Sequence, residues 1–327
     1  MDTISEFQDR LFTGSVSIQK MQGGIVPVRF SQNQLLEYGK TDNYRTRSFC
    51  PTGISLSCLT DSPFIRVTYS VWEKVRNWGF FDIYINDQFV DTVEMEPALR
   101  HVSELYYKLP VVGSKLKSVK IYFPHIAKII ILDIQFSEDV VVEFPASQKS
   151  NLLCLGDSIT QGMDARHPST TYPVLLSRSL EVDLLNQGVG GYVFNARSLD
   201  QELTYQPDII TVAYGTNDWG RYLSIEELRV RCAEYLEVLT RIYPNAAIFV
   251  ITPFWREDAI KPQPMGSFDE LSELITDLCQ PYSSITVING LELVPHLPTL
   301  FTDGLHPTDQ GFLHLAHNLA RKIRKHL

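Results

Sequence analysis

Cysteine is scarce and irregular in this chain: Cys50, Cys58, Cys154, Cys232 and Cys279 are all there are among 327 residues. An odd number without framework spacing, each in an apolar or helical context, excludes a disulfide-stapled scaffold and predicts buried free thiols. Long apolar runs are missing too. Such runs as there are, Ile129–Leu132 among them, fall far short of the roughly 20 residues that cross a bilayer. Met1–Arg10 shows no apolar stretch behind a basic start, so no secretion signal is visible. A cytoplasmic location without a membrane partner is the expectation. Basic charge is not in excess either. Lys and Arg number 29 against 38 Asp and Glu, a formal charge of -9, which argues against a nucleic-acid partner. The only basic run, Arg321 to Lys325, closes a predicted C-terminal helix, where it complements the negative end of the helix dipole.

What is present is ordinary in amount: 44% hydrophobic and 20% charged residues. The length predicts two domains, each able to bury a core. Their textures differ. Up to about residue 145 the chain reads as short β-rich runs, Ile54–Leu59, Phe64–Val71, Phe80–Ile85, Gln88–Val93, Ser118–Phe123 and Lys128–Phe136. Turn signals separate them, with Asn86-Asp87 read as a hairpin turn. An all-β sandwich or jelly roll over residues 1–145 is expected, followed by a small, polar linker at Pro145–Ser150. From residue 151 to 327 strands and helices alternate. Apolar strands are read at Leu152–Leu155, Asp183–Asn186, Ile209–Tyr214, Ala247–Ile251 and Ile285–Ile288. Ser224/Glu227 and Ser267/Glu270 form capping boxes, and Thr308 starts the last helix. That alternation implies an α/β domain with a parallel sheet covered on both faces, whose active site lies beyond the carboxyl ends of the strands.

Four blocks stand at those ends. Gly156-Asp157-Ser158-Ile159-Thr160 follows the first strand and puts an exposed serine hydroxyl at a strand-to-helix turn. Asn186–Gly191 follows the second, with glycines that let backbone approach a reacting group. Gly215-Thr216-Asn217-Asp218 follows the third and offers an amide donor. Asp303-Gly304-Leu305-His306-Pro307, near the end, sets a carboxylate three residues before an imidazole, within reach of it on a turned loop. Singly each block reads as a turn, a cap or a surface histidine. Four in order, each at a strand end, point to nucleophilic catalysis.

In these four blocks, and over about residues 150–327, the sequence resembles the GDSL/SGNH hydrolase family. The resemblance implies a flavodoxin-like three-layer α/β/α fold with Ser158 as nucleophile, His306 as base and Asp303 orienting it. It also implies an oxyanion hole made by the Ser158 and Gly191 amides and the Asn217 side chain, where a one-residue slip would substitute Gly190. A serine needs such a base, and an imidazole near its reference pKa of about 6.5 is mostly neutral at pH 7. Arg47–Gly53 followed by Thr60-Asp61-Ser62 is similar to the jelly-roll domain that precedes some SGNH esterases and acyltransferases, including carbohydrate esterases that remove acetyl groups.

The expected activity is therefore carboxylic-ester hydrolysis without metal or organic cofactor, on an O-acetylated carbohydrate or another small ester. An acyltransferase, or an inactive carbohydrate-binding protein, are the alternatives, and the oligomeric state is left open. Asp157 and Met163 are candidate substrate-binding residues, the latter within Met163–His167, which could line an acyl pocket. Tyr192, Trp219 and Trp255, each after a strand, are expected to form an aromatic wall. His167 is an alternative base. His314 and His317 read as solvated positions rather than a metal pair. Pro253–Gly266 reads as a substrate-facing lid or an irregular surface loop.

Overall fold

The computed structural model describes residues 10–110, 115–222, 224–261 and 263–327, so the start of the Met1–Arg10 segment lies outside the described residues. The N-terminal half opens with β1 (Phe12–Thr13), β2 (Ser17–Met21) and β3 (Gly24–Val28), then two short helices, α1 (Gln32–Tyr38) and α2 (Asp42–Ser48). Strands β4 (Ser55–Thr60), β5 (Phe64–Lys74), β6 (Phe80–Ile85), β7 (Gln88–Glu94), β8 (Val102–Lys108), β9 (Lys117–Tyr122), β10 (Ala127–Gln135) and β11 (Val142–Glu143) follow. They form two antiparallel sheets. One runs β1-β4-β9-β6-β7 with β11 beside β4, and the other runs β2-β3-β10-β5-β8. Their inner faces share one core, in which Leu56, Ile83 and Ile121 meet Val67, Tyr69 and Ile131. This half is sheet-rich, a two-sheet sandwich, but not all-β as expected, since it carries two short helices.

Strand β6 is buried at every position, whereas a strand with one wet face alternates. Its outer residues are covered by the other half of the chain: Tyr84 packs with Val174, and Asp82 accepts hydrogen bonds from Ser169.

That other half is built on one parallel sheet of β12 (Asn151–Gly156), β13 (Asp183–Gly188), β14 (Ile209–Ala213), β15 (Ala247–Ile251) and β16 (Ile285–Ile288), in the order β13-β12-β14-β15-β16. Its helices are α3 (Ser158–Gln161), α4 (Tyr172–Leu180), α5 (Thr216–Arg221), α6 (Ile225–Ile242), α7 (Phe268–Cys279) and α8 (Asp309–Ile323). Side chains alternate across the sheet. Leu153, Leu155, Ile210 and Val212 point to the layer of α6 and α7, while Leu152, Cys154 and Phe249 point to that of α4 and α8. Three layers result. Helix α1 joins the first of them through Leu35 and Tyr38, with Phe30 beside them.

The starts of the helices follow the sequence. Ser267 and Glu270 cap α7 reciprocally, Thr308 caps α8, and Ser224 accepts the Glu227 amide at α6 without the return bond. Arg321 and Lys322 occupy the last turn of α8. All five cysteines are buried and free, and no helix among the described residues is long and apolar enough to cross a membrane.

Candidate active site

The strand order reverses direction around β12, and the crevice beyond such a switch point is where open α/β sheets bind ligands. Ser158 stands there as the first residue of α3. Asp157 caps that helix, its Oδ1 accepting the Ile159 amide at 2.9 Å. The turn fits only because β13 ends in a glycine: a side chain on Gly188 would collide with the backbone of Gln161.

Ser158 and His306 come from positions 148 apart in sequence, yet Ser158 Oγ and His306 Nε2 lie 2.8 Å apart. His306 Nδ1 donates to Asp303 Oδ2 at 2.7 Å. The loop carrying both residues is closed by Thr302 N donating to His306 O at 2.8 Å and by an antiparallel bridge between Phe301 and Pro307. Asp303 Oδ1 further accepts the amides of His306 and Leu305. Partial burial pulls the Asp303 carboxyl up, but these hydrogen bonds outweigh it and hold the group below the usual carboxylate range.

One expectation needs correcting. Ser158 is only 5% exposed rather than open to solvent, because the imidazole lies against its hydroxyl.

The loop after β13 has two consecutive glycines whose amides differ. The Gly190 amide donates to Gln161 Oε1 at 2.8 Å. That of Gly191, in the left-handed region at φ +77°, has no acceptor among the described residues. Of these two amides, that of Gly190 is the engaged one. Asn217 Nδ2 donates to Asp157 Oδ2 at 3.1 Å and to Tyr192 O at 3.2 Å. Both of its hydrogens are engaged, so any further acceptor must share or displace one of these bonds. Asp157 and Asp218 are each buried and each pushed up to about 7. Burial is the main cause in both, opposed by the backbone amides they accept.

The N-terminal half reaches this loop. Arg47 Nη1 donates to Gly190 O at 2.7 Å, and Tyr44 Oη–H donates to Gly191 O at 3.0 Å. Arg29, fully buried, donates to the carbonyls of Cys50 and Arg47 on its own half and of Asn186 and Gly188 on β13. Burial lowers its pKa to about 10, so it stays charged. A second carboxylate also stands at the imidazole: Asp164 Oδ2 is 3.4 Å from His306 Nδ1, and Arg76 from the sandwich grips Asp164 by two bonds. Among the described residues Asp164, Asp303 and His306 are the one trio of this kind whose ligand-type atoms fall within 4.8 Å of one another. Sequence reasoning left Asp164 inside a pocket-lining run and gave Arg76, Tyr44 and Gln161 no role. Nothing local marks them, because their partners lie far along the chain.

The expected substrate-binding residues fare differently. Trp219 is fully buried, its Nε1–H held by Gly266 O and its ring packed on Phe268. Tyr192 is buried among Tyr38 and Tyr44. Neither offers a ring face, so the expected wall of three rings does not form; Trp255 is half-buried, stacked on His296 and packed on Phe301. Met163 and Asp157 are buried as well. Their contacts are structural, Met163 lying under Gly190. His167 is held away from the serine: its Nδ1 meets Asp82 Oδ1 and Thr92 Oγ1, both at 3.1 Å. His314 and His317 are exposed on α8. Within 253–266, Pro262 lies outside the described residues, and Glu257 N donates to Gly304 O at 2.8 Å, tying this segment to the His306 loop.

No curated protein matches the chain. Among solved structures it is similar to a salicylyl-acyltransferase, SsfX3, from a tetracycline biosynthetic pathway, at TM-score 0.83 and 18% identity over 96% of this chain and 94% of that one. It is similar also to a putative GDSL-like lipase from Bacteroides ovatus, at TM-score 0.78 and 20% identity over 97% and 96%. A family two carbohydrate esterase from Clostridium thermocellum, solved with cellohexaose, matches at TM-score 0.65 and 12% identity over 83% and 91%. Identities this low speak for the fold. By sequence, residues 154–312 match the model of the GDSL-like lipase/acylhydrolase family.

Proposed function

We propose that this protein is a serine-dependent carboxylic-ester hydrolase that works through an acyl-enzyme, with Ser158 as nucleophile, His306 as general base and Asp303 orienting the ring. The observation that carries the reading is the unbroken hydrogen-bond chain from Asp303 through His306 to Ser158, at 2.7 and 2.8 Å. An ionised carboxylate accepts only, so Nδ1 bears the proton and Nε2 offers its lone pair to the hydroxyl. His306 then takes the Ser158 proton as Oγ attacks the ester carbonyl, and returns it to the leaving alcohol. Water, deprotonated by the same ring, releases the acid. The tetrahedral oxyanion is met by the Gly191 amide, by the amide of Ser158, which as the first of its helix has no intrahelical acceptor, and by Asn217.

The substrate assigned is an O-acetylated carbohydrate or another small ester, in keeping with the carbohydrate esterases among the similar structures. An acyltransferase is the second reading. The similar structure titled as one spans both halves of this chain, and an alcohol replacing water in the second step is the only change needed.

The test is turnover of p-nitrophenyl esters of graded chain length and of acetylated sugars, with and without acceptor alcohols. Ser158→Ala should lose at least about ten-thousand-fold in rate, and an organophosphonate should label Ser158 alone. A chelator should leave turnover unchanged. Retention of a tenth of the activity by Ser158→Ala would end this assignment, and a transacylated product exceeding free acid would favour the transferase.

A further inference from the structure

Asp303 is an uneven support for the imidazole. It takes the Nδ1 hydrogen, but its side chain is 49% exposed, and water screens a charge so placed. The second carboxylate is better shielded. Asp164 has a side chain only 10% exposed, with Oδ2 3.4 Å from Nδ1. Two constraints keep it there. Its backbone lies at φ +69°, in the left-handed region that a non-glycine residue enters at a cost and that recurs at functional sites. Its carboxylate is gripped by Arg76, Nε to Oδ1 at 2.8 Å and Nη2 to Oδ2 at 3.0 Å. Arg76 follows β5 in the sandwich, 88 residues earlier in the chain.

We infer that Asp164 is a second positioning carboxylate for His306, held in place by Arg76, so that the N-terminal half completes the base of the active site. This rests on the reading of Ser158 and His306 given above. The resting ring has a single Nδ1 hydrogen, and Asp303 takes it. Once Nε2 accepts the serine proton the ring is a cation, and both carboxylates then stabilise it, the less exposed one through the less screened field. Arg76 offsets the Asp164 charge in the resting state, which keeps the ring available as a base. The proton itself moves only between Ser158 Oγ and His306 Nε2. The charged groups facing the ring are Asp303 on its own loop, Asp164 on the segment after α3 and, behind Asp164, Arg76. Asp309, at the start of α8, is engaged by the Arg166 and His167 amides and the Thr170 hydroxyl.

A double-mutant cycle on the full chain tests this, read as kcat and KM for p-nitrophenyl acetate across pH. Asparagine suits position 164 because it keeps the shape and tolerates the left-handed backbone. Asp303→Asn and Asp164→Asn should each lower kcat by about ten- to hundred-fold with KM within about twofold, and the double variant should lose at least about tenfold more than the product of the two. The acid limb of the profile should move to lower pH in Asp164→Asn, where a stabilising anion is gone. It should move to higher pH in Arg76→Met, where that anion is no longer offset. A multiplicative cycle, or an acid limb that stays put or moves the other way in either variant, overturns the inference. Ser158→Ala on the same substrate separates the two levels. If it stays active the parent reading fails, whereas an inert Ser158→Ala beside a multiplicative cycle removes Asp164 alone. Should Asp164→Asn fail to fold by circular dichroism, the direction of the acid limb in Arg76→Met decides.

Discussion

A peptide bond carries its carbonyl and its N–H on opposite sides, so whatever holds the Gly190 carbonyl aims the Gly191 amide. Arg47 does that holding, at 2.7 Å, and a guanidinium on the carbonyl also polarises the amide beyond it. The next carbonyl is fixed by Tyr44 and by Arg221 Nη2, at 3.0 and 3.1 Å. Under the proposed mechanism these residues matter to the transition state and not to the bound ester. Arg47→Met is therefore expected to lower kcat by about ten- to hundred-fold while KM stays within about twofold. Steady-state kinetics on a small activated ester checks it, and a raised KM with unchanged kcat would make Arg47 a substrate-binding group. Asn217→Ala should cost about a hundred-fold or more in kcat by the same logic. Its amide must loosen a bond to Asp157 or Tyr192 to meet an oxyanion, so Asp157→Asn should also change kcat rather than KM.

At the scale of elements, the join between the two halves is made of backbone held by side chains. Arg29 sits at the end of β3 with four carbonyl partners, one on α2, one in the turn after it and two on β13. Gln34 of α1 and Gln187 of β13 exchange amide hydrogen bonds at 3.0 Å beneath it. Replacing Arg29 with methionine leaves buried acceptors without donors, so the folded state should lose on the order of 3 kcal/mol. Urea unfolding measures this, and a loss below about 1 kcal/mol would mean that water had taken over the donor role.

These elements also mark where the sequence could be read and where it could not. Strands β6, β7, β15 and β16 lie within a residue of where alternation and apolar runs put them, because local pattern decides them. Strands β2, β3 and β8 and helices α1 and α2 are not among the runs that the sequence shows. Ser17–Met21 is polar, Pro27 interrupts β3, and two seven-residue helices are too short to show a period. The site divides in the same way. Its four blocks are local and three of them stand at strand ends, whereas Arg47 meets Gly190 across 143 positions and Arg76 meets Asp164 across 88. Nothing in the texture of the sequence suggests that a β-sandwich places cations beside a parallel sheet.

On the scale of the whole molecule, pH acts on buried groups, one of which stands where the halves meet. His125 lies between β9 and β10 of the sandwich, 1% exposed. Its Nε2–H donates to Gly162 O at 2.9 Å, at the end of the helix that Ser158 begins, and its Nδ1 has no partner. Burial drives its pKa down to about 4. A histidine depressed in the folded state contributes stability that is present above its unfolded value near 6.5 and lost as pH falls through 4. A drop of that size corresponds to about 3 kcal/mol. Asp157 and Asp218, raised to about 7, act in the opposite sense: their contribution is complete below the unfolded carboxylate range near 4 and is lost as pH rises through 7. The two effects overlap in the native protein, so its own pH profile does not separate them. A difference does. His125→Gln cannot be protonated, and subtracting its unfolding free energy from that of the native chain cancels both aspartates. That difference should shift against the native chain by about 3 kcal/mol between pH 7 and pH 4, measured by urea unfolding at each pH. A difference constant with pH would show that His125 takes up its proton as readily in the folded chain as in the unfolded one, and that the contact between sandwich and nucleophile turn is open to water.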